Sequence, residues 1–252
     1  MMEQNRKIIR LGLVDSTNDY LKKLAAESEE LPDGAAVIAS GQTGGRGRLG
    51  RSFFSPPGCG LYLSVFLSAG RFSSPFFLTA SAGIAAAELL RSFGAEVSIK
   101  WVNDVLSDRS GKKLCGILAE GITTKDGKLS AVVGVGLNLK KSDSVPENLK
   151  SVIGSAEEEC GTLPDVSAVP GELLRRFDET LALGENEILF RYRRLCSTIG
   201  KKIVWDPLFE GGTTCEGTAE EVLDDGRLLI TTDRGEKISV SSGEIKIRKQ
   251  IS

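Results

Sequence analysis

The chain has 252 residues, of which 40% are hydrophobic, and carries a formal net charge of -2, so it can bury a sizeable core but offers no overall basic field to nucleic acid or an anionic membrane. It contains no histidine, which excludes a histidine base, a serine-histidine triad and the commonest metal ligand. The five cysteines are an odd number without a CxxC pair, which favours reduced thiols in a cytoplasmic compartment over a disulfide framework.

Residues 1–10 are charged and lack the apolar stretch of a signal peptide, and no run is long enough to span a bilayer. A strand is expected over 8–14, leading to Asp15-Ser16-Thr17-Asn18-Asp19. Ser16 and Thr17 are candidate N-caps of a helix to about residue 29, with Tyr20, Leu21, Leu24 and Ala25 on one face. Turn residues at 31–34 precede a strand over 35–40.

The stretch Gln42-Thr43-Gly44-Gly45-Arg46-Gly47-Arg48-Leu49-Gly50-Arg51 holds four glycines and three arginines. Glycine lets the backbone approach a ligand, and arginine offers a planar fork that matches carboxylate and phosphate oxygens. Such a segment is either an anion-handling loop or a solvated basic tract of the RNA-binding kind. Its place between two strand-like runs favours the first, because binding residues concentrate on loops held by a rigid scaffold.

Pro56-Pro57-Gly58 closes the loop, and 60–68 alternates Leu61, Leu63, Val65 and Leu67 with Tyr62, Ser64, Phe66 and Ser68, period-two strand patterning with both faces partly buried. Ser74-Pro75 opens an alanine-rich helix that stops at Gly94 and is apolar enough to require packing against a sheet. A strand over 96–101 ends in Lys100-Trp101-Val102-Asn103-Asp104, where the polar pair reads either as a site element or as plain turn chemistry before the turn at 107–112. Lys112-Lys113 leads into a strand over 114–123 containing Gly116 and Gly121, and a turn at 125–128 joins it to a second strand over 129–139. There Gly134 and Gly136 leave one sheet face bare, as suits a flat ligand, beside the polar Asn138.

A polar stretch follows to residue 170, with a short helix near 155–159. Two helical segments broken near Gly184 cover 171–199. From about residue 200, short β-type runs alternating with turns have the spacing of a small all-β barrel, read as a lid or docking module too small to hold the chemistry.

The runs Asp15-Ser16-Thr17-Asn18, Gly45-Arg46-Gly47-Arg48-x-Gly50-Arg51, Phe54-Ser55-Pro56 to Tyr62-Leu63-Ser64, Lys100-Trp101-x-Asn103-Asp104, Lys113-Leu114-x-Gly116-Ile117 and Gly134-x-Gly136-x-Asn138 occur in the order and spacing of biotin protein ligases. Together they cover most of residues 10–140, and the terminal β module is similar to that family's SH3-like domain. The resemblance implies an α+β fold, a mixed β-sheet with helices packed on it like a class II aminoacyl-tRNA synthetase core, plus a small C-terminal SH3-like β-barrel. Residues 1–199 would form the catalytic domain and 200–252 the SH3-like domain. Only fourteen residues precede Asp15, which resembles the ligase-only group without a DNA-binding domain.

The resemblance further implies that ATP and biotin give biotinyl-AMP, and that biotin then passes to a lysine of a biotin carboxyl carrier protein domain of a biotin-dependent carboxylase. An aliphatic carboxylate, with a pKa near about 4.3, is already an anion at neutral pH and attacks the α-phosphorus without a base. The protein must therefore supply positive charge and positioning for two anions. By resemblance, Arg46 and Arg48 bridge carboxylate and α-phosphate, Lys113 holds the biotinyl carbonyl oxygen, and Arg51 assists the phosphates. Biotin would be bound by Ser16, Thr17, Asn18 and Gln42 with the backbone at Gly45 and Gly47, and Gly116 would form a wall. The nucleotide would meet Arg48, Arg51, Phe53, Asn103 and Asn138, and Asp104 would lie nearest Mg²⁺.

Two departures stand out: Val102 replaces the family's usual proline, leaving the strand end less fixed, and Phe53 replaces a tryptophan associated with the adenine. Residues 44–54 are expected to be mobile before ligands bind, since few apolar contacts hold them. A lipoate or octanoate ligase of the same fold is the alternative reading. Neither DNA nor membrane is an expected partner, and a homodimer remains open.

Overall fold

The structure is a computed structural model that describes residues 6–28, 30–68, 70, 73–163, 165–207 and 213–248. The first five residues of the charged N-terminus and the expected helix end at Glu29 lie outside them. Strands β1 (Ile8–Val14), β2 (Ala36–Gln42), β3 (Gly60–Leu67), β4 (Val97–Lys100), β5 (Asp104–Ser107), β6 (Lys113–Thr123) and β7 (Leu129–Asn138) form one sheet in the order β1-β2-β3-β7-β6-β5-β4. β1 and β2 run parallel, joined by helix α1 (Thr17–Glu27), and the other neighbours are antiparallel.

Strand β3 shows why this sheet is buried on both sides. Leu61, Leu63, Val65 and Leu67 join one core, while Phe66 joins Leu21 and Ala25 of α1 in a second core on the opposite face. The first core is covered by α2 (Pro75–Ser92), which is itself overlaid by α4 (Val169–Leu181) and α5 (Glu185–Leu195), so a helix apolar on most of its surface meets protein nearly all round. Ser74 caps α2, its hydroxyl accepting from the Phe76 amide at 3.2 Å. The short α3 (Ala156–Cys160) carries a capping box between Ser155 and Glu158.

The C-terminal strands β8 (Lys202–Asp206), β9 (Cys215–Val222), β10 (Leu228–Thr232), β11 (Lys237–Val240) and β12 (Glu244–Ile247) make a separate antiparallel sheet in the order β11-β10-β9-β8-β12. This sheet is tied to the larger one through its turn after β9. The Trp101 indole donates to the Gly226 carbonyl at 3.1 Å, and Arg193 Nε donates to that of Val222 at 2.7 Å. Gly226, at φ 87°, lies so close to Phe76 that a Cβ would meet the ring at 2.0 Å. The mixed sheet with packed helices and the separate β unit expected from the sequence are both present.

Two local expectations are corrected. Tyr20 is exposed, and the buried face of α1 instead begins with the polar Thr17 and Asn18. Asp104 does not sit in a turn but opens β5, a strand too short to show periodicity, which pairs with both β4 and β6. Among the described residues no helix is long and apolar enough to cross a membrane.

Candidate active site

Where β2, β4 and β5 end or begin, the arginine loop arches over the sheet and encloses a cavity of about 150 Å³. Thr17, Arg46, Arg48, Asp104, Lys113 and Glu244 all line it, so residues scattered over most of the sequence share one space.

The loop is a hairpin. The Gly47 amide donates to the Arg51 carbonyl at 2.7 Å and the Phe53 amide to the Gly45 carbonyl at 2.7 Å, while Arg46 and Ser52 form a β-bridge. Its tip is a 3-10 turn over Arg48–Gly50, with Leu49 at φ 57° and 55% exposed. Gly45 is needed here, because a Cβ would stand 2.5 Å from the Phe53 carbonyl oxygen and 2.6 Å from Ser55 Oγ. Backbone pairing thus gives residues 44–54 an anchorage that composition does not reveal.

The three arginines are held differently. Arg46 Nε lies 2.5 Å from Asp19 Oδ2 on α1, with the arginine side chain more than half exposed. Arg48 points inward, donating from Nη1 to Asn103 Oδ1 at 3.3 Å, and burial pulls its guanidinium below its ordinary value while Asp104 acts in the opposite sense. Arg51 pairs with Glu244 of β12, a hydrogen bond that raises the arginine and lowers the carboxylate. The small C-terminal sheet therefore contributes directly to the cavity, which its reading as a separate module did not anticipate.

The turn between β4 and β5 is pinned from several elements. The Trp101 amide donates to Thr198 Oγ1 at 2.9 Å, the Tyr192 hydroxyl to the Val102 carbonyl at 3.0 Å, and the Ile117 amide to the Asn103 carbonyl at 2.9 Å. Asn103 Nδ2 returns a bond to the Ile117 carbonyl at 2.9 Å. The Trp101–Val102 peptide bond is cis. Val102, which stands where the resemblance expects proline, lies within this hydrogen-bonded turn. Beyond it, Lys113 Nζ lies 2.6 Å from Asp104 Oδ1 and 5.4 Å from the centroid of the Phe53 ring. Lys100 faces Asp104 in the β4–β5 register, and its burial lowers the ammonium's pKa against the opposing pull of Asp104 and Glu244.

The other end of the cavity is neutral and polar. Gln42 Oε1 accepts from the Thr17 amide at 2.8 Å, and Gln42 Nε2 donates to Ser55 Oγ at 2.9 Å. Ser16 caps α1, accepting from the Asp19 amide at 3.3 Å, and also lines the cavity. Asn18 is engaged inside the protein, donating to Glu120 Oε2 at 2.7 Å and accepting from Ser64 at 2.6 Å.

The glycine strip of β7 is not bare. A Cβ on Gly134 would stand 2.3 Å from Asn18 Oδ1, and one on Gly136 would stand 2.4 Å from the Phe53 ring. The glycines make room for the chain's own side chains. Gly116 serves the same ring, which a Cβ there would meet at 2.9 Å.

Asn138 opens elsewhere. It donates to the Lys113 carbonyl at 3.1 Å and lines a second cavity of about 360 Å³, which also meets Lys112, Lys140, Lys141 and Lys150. Tyr62 lines both cavities, its hydroxyl donating to the Pro56 carbonyl at 3.0 Å. Among the described residues no group of three or more acidic or sulfur ligands could hold a metal. Asp104 and Glu244 are the carboxylates that line the first cavity, each paired with a cation, Lys113 and Arg51 respectively.

Sequence reasoning did not single out Lys100, Glu120, Ser64 or Glu244 for a role. Lys100 and Ser64 lie in quoted motifs, but Glu120 and Glu244 meet their partners across long separations that carry no local signal.

Residues 11–138 match the Biotin/lipoate A/B protein ligase family. The bifunctional ligase/repressor BirA of Escherichia coli strain K12 is 35% identical over 249 residues, covering 93% of this chain and 74% of that protein. The biotin--[acetyl-CoA-carboxylase] ligase of Mycobacterium tuberculosis strain H37Rv is 31% identical and covers 95% of this chain and 88% of its own length. Among solved structures, the biotin protein ligase from Aquifex aeolicus in complex with biotin and ATP superposes with a TM-score of 0.80 at 29% identity, over 98% of this chain and 100% of that one.

Proposed function

The chain belongs to the biotin/lipoate A/B protein ligase family, and we propose that its first cavity is where biotin is activated and passed on. The protein is a biotin protein ligase. It joins biotin to AMP at the expense of ATP and transfers the biotinyl group to a lysine of a carboxylase. The relatives and solved structures favour biotin over lipoate as the acid. The acceptor we propose is the biotin carboxyl carrier domain of that carboxylase. Residues 1–199 are taken as the catalytic domain and 200–252 as an SH3-like domain.

The observation that carries the site assignment is the convergence of Arg48, Lys100, Lys113 and Asp104 on one cavity in a protein without histidine. In the first step a biotin carboxylate oxygen bonds to the α-phosphorus and pyrophosphate leaves. No proton has to move, so the cost to be met is repulsion between two anions. Arg48 is half-buried and already aimed inward, which suits it to span carboxylate and α-phosphate. Lys113 would hold the acyl oxygen, and Arg46 and Arg51 would release Asp19 and Glu244 to reach the substrate anions. Asp104 would help to hold magnesium, which would supply positive charge for the leaving pyrophosphate.

In the second step the acceptor amine attacks the acyl carbon, AMP departs with the bonding pair, and the nitrogen sheds its proton. Thr17 and Gln42 would hold the ureido end of biotin, joined by Ser16, while Asn18 keeps its neighbours oriented. The backbone at Gly45 and Gly47 would close over the acid. Asn103 steadies Arg48, and Phe53 and Asn138 mark a path for the nucleoside from the first cavity towards the second.

The test is ATP-pyrophosphate exchange measured with biotin, with lipoate and with neither acid. Exchange that depends on biotin is the expected result, and exchange supported by lipoate alone would overturn it.

A further inference from the structure

We propose that Glu120 is a positioning residue for biotin, fixing the hydrogen-bond polarity of the cavity's neutral end through Asn18. The proposal rests on biotin being the acid bound there.

An ionised carboxylate can only accept hydrogen bonds. Glu120 Oε2 lies 2.7 Å from one end of the Asn18 amide, and the Leu118 carbonyl lies 3.3 Å from the same end. Two acceptors on one side require the NH₂ group there, so Asn18 Oδ1 must face Ser64, whose hydroxyl is 2.6 Å away. Ser64 has one proton, and it is committed to that oxygen. The Thr17 hydroxyl then finds only acceptors inside the protein, Ser64 Oγ at 2.8 Å and Gln42 Oε1 at 3.1 Å. Its proton turns inward and its lone pairs are left for the cavity. A cyclic urea brings two N–H donors, and acceptors are what they need.

Lys22 is the cation paired with the other oxygen of Glu120. Lys22 Nζ lies 2.8 Å from Glu120 Oε1 and 2.9 Å from Asp19 Oδ1, joining β6 to α1. Thr17 and Asn18 are 4% exposed, so water does not stand in for a lost partner. A glutamine at 120 could offer either an NH₂ or an oxygen to Asn18, the amide could turn over, and the ordering of donors and acceptors through Ser64 to Thr17 would be lost.

The experiment measures ATP-pyrophosphate exchange for the unaltered chain, Glu120→Gln, Asn18→Ala and the double variant, each with its thermal midpoint. Glu120→Gln should raise the KM for biotin about fivefold to tenfold, the range of one net hydrogen bond, with kcat and the KM for ATP held. In the Asn18→Ala background the same change should add less than about twofold, because the two act as one unit. Lys22→Met removes the link between α1 and β6 without altering the partner of Asn18. It should lower the midpoint while the biotin KM stays within about twofold. Equal effects of Glu120→Gln in both backgrounds, an unchanged biotin KM, or a KM rise in Lys22→Met as large as in Glu120→Gln would each overturn the proposal. Absence of biotin-dependent exchange in the unaltered chain would instead remove the functional reading, and this inference with it.

Discussion

The ring of Phe53 rests on Gly136 so closely that a Cβ on the glycine would stand 2.4 Å from it. Lys113 Nζ lies 5.4 Å from the same ring centroid, so the arginine loop reaches the sheet through an aromatic anchor as well as through its own backbone pairs. Gly136→Ala should lift that anchor. The ring also lies close to Gly116 of the neighbouring strand, so ring and loop should shift together, at a cost of about 1–3 kcal/mol for an overpacked contact. Trypsin should then cut at Arg46 or Arg48 faster than in the unaltered chain, and biotin with ATP should restore protection. Cleavage at the same rate in both proteins would mean that Phe53 does not hold the loop.

Lys113→Ala tests the placement of the ammonium. Lys113 Nζ is 2.6 Å from Asp104 Oδ1 and both side chains are partly open to solvent, so its loss should leave the fold intact while Asp104 is rehydrated. Adenylate formation should fall by about 10² to 10³, the effect of removing one donor from a developing oxyanion. Pyrophosphate release at the unaltered rate would take Lys113 out of its assigned role.

The pairing of Arg51 with Glu244 joins the two sheets across the cavity mouth, yet the arginine side chain is more than half exposed. Such a pair contributes little to stability. Its expected effect is on binding, because Arg51 must leave Glu244 to meet a phosphate. Glu244→Gln should lower the KM for ATP by no more than about fivefold, with the benefit shrinking as salt is raised. A higher KM for ATP would show that the carboxylate helps to place the arginine instead of competing for it.

Most of the architecture was legible because it is written in local patterns. The alternation of Leu61, Leu63, Val65 and Leu67 specified a strand with both faces partly buried, and Ser74-Pro75 marked where α2 begins. The motifs along the chain brought out the glycine-arginine loop, Asp104 and Lys113, which line one cavity, and Asn138, which opens into the other. β5 was not legible, since Asp104–Ser107 is four residues long and is recognisable only from its two neighbours. Nor was the filling of the glycine strip. Gly134 and Gly136 signal a close approach, but nothing in the sequence says whether a ligand or the chain's own Asn18 and Phe53 makes it. Glu120 and Glu244 were passed over for a related reason. The hydrogen bonds they make span 102 and 193 positions, and each resembles an ordinary surface carboxylate until the chain is folded.

Lys100 should set the alkaline limit of activity. It faces Asp104 across the β4–β5 pair and lines the cavity, and burial lowers its pKa from the ordinary lysine value of 10.5 although Asp104 and Glu244 oppose the shift. In the window between the lowered value and 10.5 the native state binds fewer protons than the unfolded chain, so this group's contribution to stability increases as pH rises. Activity should run the other way, because a cation lining the cavity, where it can face phosphate, is lost through the same window. The kcat/KM for ATP should therefore fall with rising pH before an exposed lysine would titrate. Lys100→Arg should abolish that alkaline limb, since a guanidinium keeps its charge there. Lys100→Met should show no limb either, at a uniformly reduced rate. Measured as pH profiles of pyrophosphate exchange, a limb that persists unchanged in Lys100→Arg would assign the titration to another group and leave Lys100 a buried structural cation.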